Sequence, residues 1–246
     1  SVREVLKYYK SKEGLEIHHD GDLPARSGLG SSSSFTVGLL NAMNAFTGKN
    51  SSSIELAKKA IHIEQDLIKE SVGSQDQISA AYGGFNKINF YKDGTFAVEP
   101  LITNPDRLED FNDHLMLFFT GVSRLSTEIT KSQIMNIDNC YSQLKEMYEM
   151  VDEASSILTN VNTPLGDFGK LLHKSWLVKR GLSKKITNTM IDDLYNAALK
   201  AGALGGKVLG AGGGGFVLFM VKPENQDRVK KALSNLIFVP FKFENT

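Results

Sequence analysis

The residues of this sequence whose types and spacing could do chemistry begin with a stretch rich in glycine and serine, residues 22–35. Gly28 and Gly30 permit backbone angles that a side chain would forbid, and serines 31–34 open the apolar pattern of a helix. Such a loop leaves backbone N–H groups unpaired at a helix N-terminus, where the helix dipole favours negative charge. The stretch therefore predicts a phosphate site, although a Gly/Ser turn that only caps a buried helix looks the same. It is not a P-loop, because no Gly-Lys-Ser/Thr follows the glycines.

A carboxylate and a second glycine run complete the set of candidate residues. Asp76 lies between two glutamines after a break in a helical pattern, where it could accept a proton from a hydroxyl or simply cap a helix. Glu64 falls among apolar neighbours in the preceding helical pattern, and a solvated helix residue is the plain alternative there. Residues 210–215 form a glycine run between two strand patterns, where backbone can approach backbone or ligand closely.

The elements that must position these residues mix helices and strands. Hydrophobic periodicity and start signals predict helices over residues 2–10, 32–47 and 54–67, from Gln75, over 125–135, 138–159, 164–180 and 188–201, and from Pro223. Alternating or continuous apolar runs predict strands over 15–20, 86–91, 95–98, 115–119, 216–221 and 237–243. This order predicts an α+β fold, with helices on one face of a mainly antiparallel sheet.

Length, charge and cysteine content exclude several classes of protein. The 246 residues are enough for one large domain or two small ones. The formal net charge is zero, so no overall field recruits nucleic acid or an anionic membrane. Cys140 is the single cysteine, which excludes an internal disulfide and a cysteine-rich metal site. No apolar run approaches membrane-spanning length. We therefore expect a cytoplasmic protein with neither nucleic acid nor membrane as a partner.

With these motifs in view, the sequence resembles the GHMP kinases, the family of galactokinase, homoserine kinase, mevalonate kinase and phosphomevalonate kinase. Residues 24–32 are similar to the family's second motif, its ATP-phosphate loop, and residues 207–216 to its third motif, which packs against the second. Residues 75–77 resemble the stretch that carries the catalytic aspartate in the family's sugar kinases. Within the family, the likeness is closest to the D-glycero-D-manno-heptose 7-phosphate kinases, on residues 73–77, 119–124, 176–180 and 201–207. L-fucose kinase domains share part of this pattern.

The resemblance implies a fold and a reaction. The fold is that of the GHMP kinases, with a part like domain 2 of ribosomal protein S5 over residues 1–110 and a ferredoxin-like part over residues 111–246. The reaction is transfer of the γ-phosphoryl group of ATP to a sugar hydroxyl, for the heptose enzymes the anomeric one, with Mg²⁺ as the metal. The alternatives are an L-fucose kinase or other sugar 1-kinase, and a non-catalytic protein of this fold that binds sugar or nucleotide. The expected partner is a small sugar phosphate, and a homodimer is an option.

The resemblance also implies roles for individual residues. Asp76 would be the catalytic base. Glu64 with Ser32, or alternatively with Ser31, would ligand Mg²⁺. ATP would be bound by Ser27, Gly28, Leu29, Gly30, Ser31, Ser32, Ser33, Gly212 and Gly213. The sugar substrate would be contacted by Gln75, Gln77, Arg124, Lys179 and Arg180. For Lys179 and Arg180 the alternative is a solvated basic face.

The family's first motif, a Pro-Gly-Arg-type segment, has no counterpart in this sequence. In the relatives it lies on the opening strands of the sheet and supplies sugar contacts. From this difference we expect a sheet that lacks its opening strands and a sugar side of the cleft without a roof. We also expect negligible kinase activity from residues 1–246 alone.

Overall fold

The computed structural model describes residues 1–24, 27–101, 104–122 and 126–243. The chain divides into two compact units, the first ending at Gly84 and the second beginning at Phe85. The sequence predicted a domain boundary at residue 110, which put the hairpin after Gly84 in the first domain. In the structure this hairpin belongs to the second unit. The physical reason is aromatic packing, because the Phe85 ring stacks on the rings of Phe111 and Phe243.

The first unit is built from helices, as their periodicity predicts. Their bounds are α1 Val2–Tyr8, α2 Ser31–Phe46, α3 Ser53–Ile61 and α4 Gln75–Tyr82. A π-helical segment, His62–Leu67, continues α3. Ser52 starts α3 with a capping box, in which its hydroxyl accepts from the Glu55 N–H and the Glu55 carboxylate accepts from the Ser52 N–H. The helices pack around one apolar cluster: Val5, Val37, Leu39, Leu40, Met43, Leu56, Ala60 and Ile63.

The strand predicted over residues 15–20 is absent from the structure, which gives this segment no regular secondary structure. A strand requires hydrogen bonds to a neighbouring strand. The described part of the first unit contains none with which this segment could pair. The alternation of apolar and polar residues is therefore not sufficient to form a strand here.

The second unit contains a hairpin and a four-stranded antiparallel sheet. The hairpin pairs β1 Asn86–Phe90 with β2 Phe96–Pro100. The sheet has the order β4-β5-β3-β6, made of β3 Leu115–Phe119, β4 Ala203–Val208, β5 Phe216–Val221 and β6 Ile237–Val239. Its helices are α5 Pro105–Asp113, α6 Ser126–Met135, α7 Tyr141–Thr159, α8 Leu165–Gly181, α9 Thr189–Ala201 and α10 Gln226–Ala232. The predicted α+β class is confirmed. The closing strand is shorter than predicted, and α5 was not predicted.

Helix α8 lies directly on strand β4 because glycines remove the side chains between them. A Cβ on Gly205 would come within 2.0 Å of the Gly169 carbonyl oxygen, and a Cβ on Gly169 within 2.6 Å of the Leu204 Cβ. The core of this unit contains Trp176, Tyr195 and Phe219, all buried. Near its end, α8 reaches the glycine run that follows β4, where the Lys179 Nζ donates to the Gly210 carbonyl oxygen. No helix in the described residues has the length and apolar character needed to cross a membrane.

Candidate active site

The glycine- and serine-rich loop ends at the N-terminus of α2. Gly28 and Gly30 both have positive φ, 86° and 69°, which glycine adopts without strain. Gly30 is the N-cap and supplies no side-chain cap, and its carbonyl accepts the first helical bond, from the Ser34 N–H at 2.9 Å. The N–H groups of the first turn of a helix have no partner within it. This helix end is therefore suited to an anion such as phosphate.

Glu64 meets this helix end through the hydroxyl of Ser33. The Ser33 Oγ donates to Glu64 Oε2 at 2.8 Å, and the Gln77 Nε2 donates to the same oxygen at 2.5 Å. All three side chains are buried. The sequence paired Glu64 with Ser32, whereas Ser32 is exposed. The structure thus brings Glu64 to the helix end with Ser33 as its hydroxyl partner.

A local change of helix type accompanies the buried position of Glu64. α3 is regular up to Ile61, and the next six residues form the π-helical segment. Within it, Ile63 enters the apolar core and Glu64 is 1% exposed. π-Helical turns inside α-helices are rare and occur frequently at functional sites. A charged group this deeply buried needs compensation, which the two hydrogen bonds to Oε2 supply in part.

Asp76 lies in the first turn of α4, against the loop. A Cβ on Gly30 would be 3.2 Å from the Asp76 Cγ and 3.4 Å from its Oδ2, so the carboxyl group lies close to the backbone of the glycine. Asp76 nevertheless keeps an exposed surface. Partial burial, together with the negative charge of Glu64, raises the pKa of the Asp76 carboxyl. A raised pKa makes this carboxylate a stronger proton acceptor near neutral pH.

Among the described residues of the first unit, three buried oxygens have no hydrogen-bond partner: Ser27 Oγ, Glu64 Oε1 and Gln77 Oε1. Buried polar atoms without a partner in the protein are rare, and such an atom is available to bind a water, an ion or a ligand. Oxygens of hydroxyl, carboxylate and amide groups are hard ligands that suit Mg²⁺, which usually takes only one or two carboxylates and keeps waters or phosphates for the rest. The described residues hold no group of three or more His, Cys, Asp or Glu for a metal. The residues present fit Mg²⁺ bound with few protein ligands.

The glycine run 210–215 belongs to the second unit and is required by backbone packing there. The Gly213 N–H donates to the Ile186 carbonyl at 2.8 Å, and the Gly215 N–H to the Val122 carbonyl at 2.7 Å. A Cβ on Gly212, where φ is +104°, would be 2.7 Å from the Ile186 oxygen. Contact of Gly212 and Gly213 with ATP stays a prediction, and the N–H of Gly213 already has a partner.

The two basic residues at the end of α8 also have partners within the second unit. The Lys179 Nζ donates to the Gly210 carbonyl at 2.6 Å. Burial, and then the neighbouring Lys207, lowers the pKa of Lys179 to about 7. Arg180 forms an ion pair of 3.1 Å with Asp192. Contact of Lys179 and Arg180 with the substrate stays a prediction. Neither residue is a free cation on a solvated face, because each has a partner in the second unit.

The first unit therefore brings together Gly30, Ser33, Glu64, Asp76 and Gln77, which come from three separate stretches of the sequence. The other predicted positions lie as follows: Ser27 is buried, Leu29 and Ser31 are half-buried, and Gln75 and Gly28 are exposed. Arg124 lies outside the described residues. The sequence prediction did not include Lys207, whose pKa is lowered by burial. Its place at the start of the third-motif stretch was the available signal.

The family relationship of the chain follows from comparisons with known proteins. The GHMP kinases N terminal domain model matches residues 1–84, and the GHMP kinases C terminal model matches residues 157–237. A D-glycero-alpha-D-manno-heptose 7-phosphate kinase of Campylobacter jejuni is 30% identical over 232 residues, 94% of this chain and 68% of that protein. The L-fucokinase/L-fucose-1-P guanylyltransferase of Bacteroides fragilis is 28% identical over 95% of this chain, which spans only 25% of it.

A solved structure agrees with these sequence matches. The crystal structure of a D-glycero-D-manno-heptose 1-phosphate kinase from Bacteroides thetaiotaomicron superposes with a TM-score of 0.66 at 26% identity, covering 98% of this chain and 71% of that one. The family models together match more than half of the chain. The chain belongs to the GHMP kinase family, and its fold is the GHMP kinase fold.

Proposed function

We propose that this protein is a sugar kinase that transfers the γ-phosphoryl group of ATP to the anomeric hydroxyl of D-glycero-D-manno-heptose 7-phosphate. The observation that carries the proposal is the carboxyl group of Asp76 beside Gly30, at the helix end suited to phosphate. The heptose 7-phosphate kinase of C. jejuni, 30% identical, supports the choice of sugar.

In this proposal, the residues of the first unit position the reactants. The backbone of the loop and the first turn of α2, residues 27–33, binds the phosphates of ATP. Asp76 accepts the proton of the anomeric hydroxyl of the sugar. The sugar oxygen forms a bond to the γ-phosphorus of ATP as the bond from that phosphorus to ADP breaks and ADP leaves. Phosphoryl transfer needs little covalent help from the protein, because positioning and charge stabilisation supply most of the catalysis. A base of raised pKa next to a phosphate loop fits that requirement.

Glu64, with the hydroxyl of Ser33 or of Ser32, is proposed to hold Mg²⁺. When bound, this ion neutralises negative charge on the phosphates of the nucleotide. The buried, unpartnered Oε1 of Glu64 supports the assignment, since a carboxylate oxygen buried without a partner is costly. Ser33 is favoured over Ser32 because its hydroxyl already contacts the carboxylate.

The 7-phosphate of the proposed sugar requires a cation to receive it, and we propose Lys179 and Arg180 for that role. Arg180 uses Nη2 in its ion pair with Asp192, and the guanidinium fork has further N–H donors that could bind a phosphate. The second candidate function is an L-fucose kinase, favoured by the B. fragilis relative at 28% identity. Fucose carries no phosphate, so replacement of this basic pair distinguishes the two sugars.

The test is a substrate panel on the full-length protein with ATP and Mg²⁺, comparing heptose 7-phosphate, unphosphorylated heptose and L-fucose. We expect turnover with heptose 7-phosphate, and Asp76→Asn should lower it by about 10²–10⁴-fold with ATP binding nearly intact. Lys179→Ala/Arg180→Ala should raise the KM for the sugar phosphate and spare ATP. Preference for L-fucose would replace the sugar assignment. Parental turnover in Asp76→Asn would remove Asp76 as the base.

A further inference from the structure

Gln77 lies inside the first unit, with no exposed side-chain surface. Its Nε2 donates to Glu64 Oε2 at 2.5 Å, beside the Ser33 hydroxyl that donates to the same oxygen at 2.8 Å. This contact determines the orientation of the amide, because an ionised carboxylate only accepts hydrogen bonds and the reversed amide would oppose two oxygens. The amide nitrogen of Gln77 is thus committed to Glu64, while the amide oxygen, Oε1, is buried without a partner among the described residues.

The two donors restrain the Glu64 carboxylate in one orientation. Both hydrogen bonds fall on Oε2, and Oε1 is buried without a partner. A buried carboxylate is stable only when hydrogen bonds or a cation compensate its lost hydration. The two hydrogen bonds to Oε2 supply part of this compensation within the protein. A cation or another donor that binds Oε1 would supply the rest.

We infer that Gln77 is a positioning residue, which holds Glu64 so that its second oxygen is presented to a divalent cation. The inference rests on the proposed function for the identity of the cation as Mg²⁺. It gives Gln77 a role different from the sugar contact expected from the sequence, since its amide nitrogen is engaged and its side chain has no open surface. Residues that hydrogen-bond to metal ligands typically affect metal affinity by about 10–100-fold.

The test is direct metal binding by Gln77→Met, which keeps the length of the side chain but removes the donor. The probe is Mn²⁺ in the presence of ADP, with free Mn²⁺ counted by electron paramagnetic resonance. We expect Mn²⁺ to bind about 10-fold or more weakly to this variant than to the parent. Gln75→Met, the same change two residues earlier at an exposed position, is the matched control and should bind Mn²⁺ as the parent does.

A double-mutant cycle shows whether Gln77 acts through Glu64. In a Glu64→Gln background, Gln77→Met should change Mn²⁺ affinity by less than about twofold, because the carboxylate that it positions is gone. In activity assays, Gln77→Met should raise the Mg²⁺ concentration for half-maximal rate, leave the KM for the sugar unchanged and regain its rate at high Mg²⁺. A loss of Mn²⁺ affinity as large in the Glu64→Gln background as in the parent would overturn the inference.

Other outcomes also decide against this role. A raised KM for the sugar with parental Mn²⁺ binding would make Gln77 a substrate contact, and a lowered melting temperature with parental Mn²⁺ binding would make it only structural. A parent protein that binds no Mn²⁺ would equally refute it. If Gln77→Met gives no soluble protein, Gln77→Asn, whose amide is too short to reach Oε2, takes its place with the same expected loss. A parent that binds Mn²⁺ and ADP but phosphorylates no sugar refutes the proposed function alone.

Discussion

Gly30 is the position at which one added methyl group tests the contact between the candidate phosphate loop and the proposed base. Its φ is +69°, and a Cβ there would be 3.2 Å from the Asp76 Cγ. Gly30→Ala therefore has two costs. The left-handed backbone costs an alanine about 1–2 kcal/mol. The Asp76 carboxyl must also give way by a few tenths of an ångström.

The magnitude of the effect on turnover follows from this displacement. A misplacement of about 1 Å in an active site can cost about 10²-fold in rate. A shift of about 0.3–0.5 Å, on the same logarithmic scale, lowers kcat by about 4- to 10-fold. The free energy of unfolding should fall by about 1–2 kcal/mol from backbone strain alone. Steady-state kinetics at saturating ATP and sugar measure the first effect, and urea unfolding measures the second.

Gly48→Ala is the matched control. Gly48 has a nearly identical φ of +67°, and nothing lies within 4 Å of the position of its Cβ. This variant should lose the same stability and keep the parental kcat. Equal kcat values for the two alanine variants would refute the reasoning. So would an undiminished effect of Gly30→Ala in an Asp76→Asn background, because the displaced base would no longer be its cause.

Three further outcomes are expected. Ser33→Ala should raise the Mg²⁺ concentration needed for half-maximal activity more than Ser32→Ala, because of the two hydroxyls only that of Ser33 bonds to Glu64. The reverse order would favour the pairing of Glu64 with Ser32 that was expected from the sequence. The free energy of unfolding should rise between about pH 7 and pH 9, because the Lys179 amine, whose pKa is lowered to about 7 in the folded protein, binds fewer protons there than in the unfolded chain. In Lys179→Met, the urea midpoint should rise less steeply with pH. An equal slope in the parent and this variant would contradict Lys179 as the cause. Gly205→Ala should lower the free energy of unfolding by about 3 kcal/mol or more, since its Cβ would lie 2.0 Å from the Gly169 carbonyl oxygen. The control Gly181→Ala, with open space around its Cβ, should cost less than about 0.5 kcal/mol. Similar urea midpoints for the two variants would contradict the close packing of α8 on β4.

Most helices and the hairpin of this protein were predictable from local patterns. The apolar period of α2 and the start signal at Ser52 lie within single elements, and Gly94 stands at the tight turn between β1 and β2. Helix α5 also has a start signal in the sequence, with Asn104 as its cap and Pro105 in its first turn, although no helix was predicted there. The segment 15–20 failed because a strand depends on a neighbour and not on its own pattern alone.

The sequence by itself determined the family and identified the candidate phosphate loop and the candidate carboxylates, because glycine positions and motif spacing lie within short stretches. Only the tertiary structure decided that Ser33 meets Glu64, that Gln77 points inward, and that Arg180 is paired with Asp192. The physical reason is the geometry of helix packing. Each residue step turns a helix by about 100°, so the residue that faces another element depends on how the helices are rotated against each other. No local pattern in the sequence encodes that rotation.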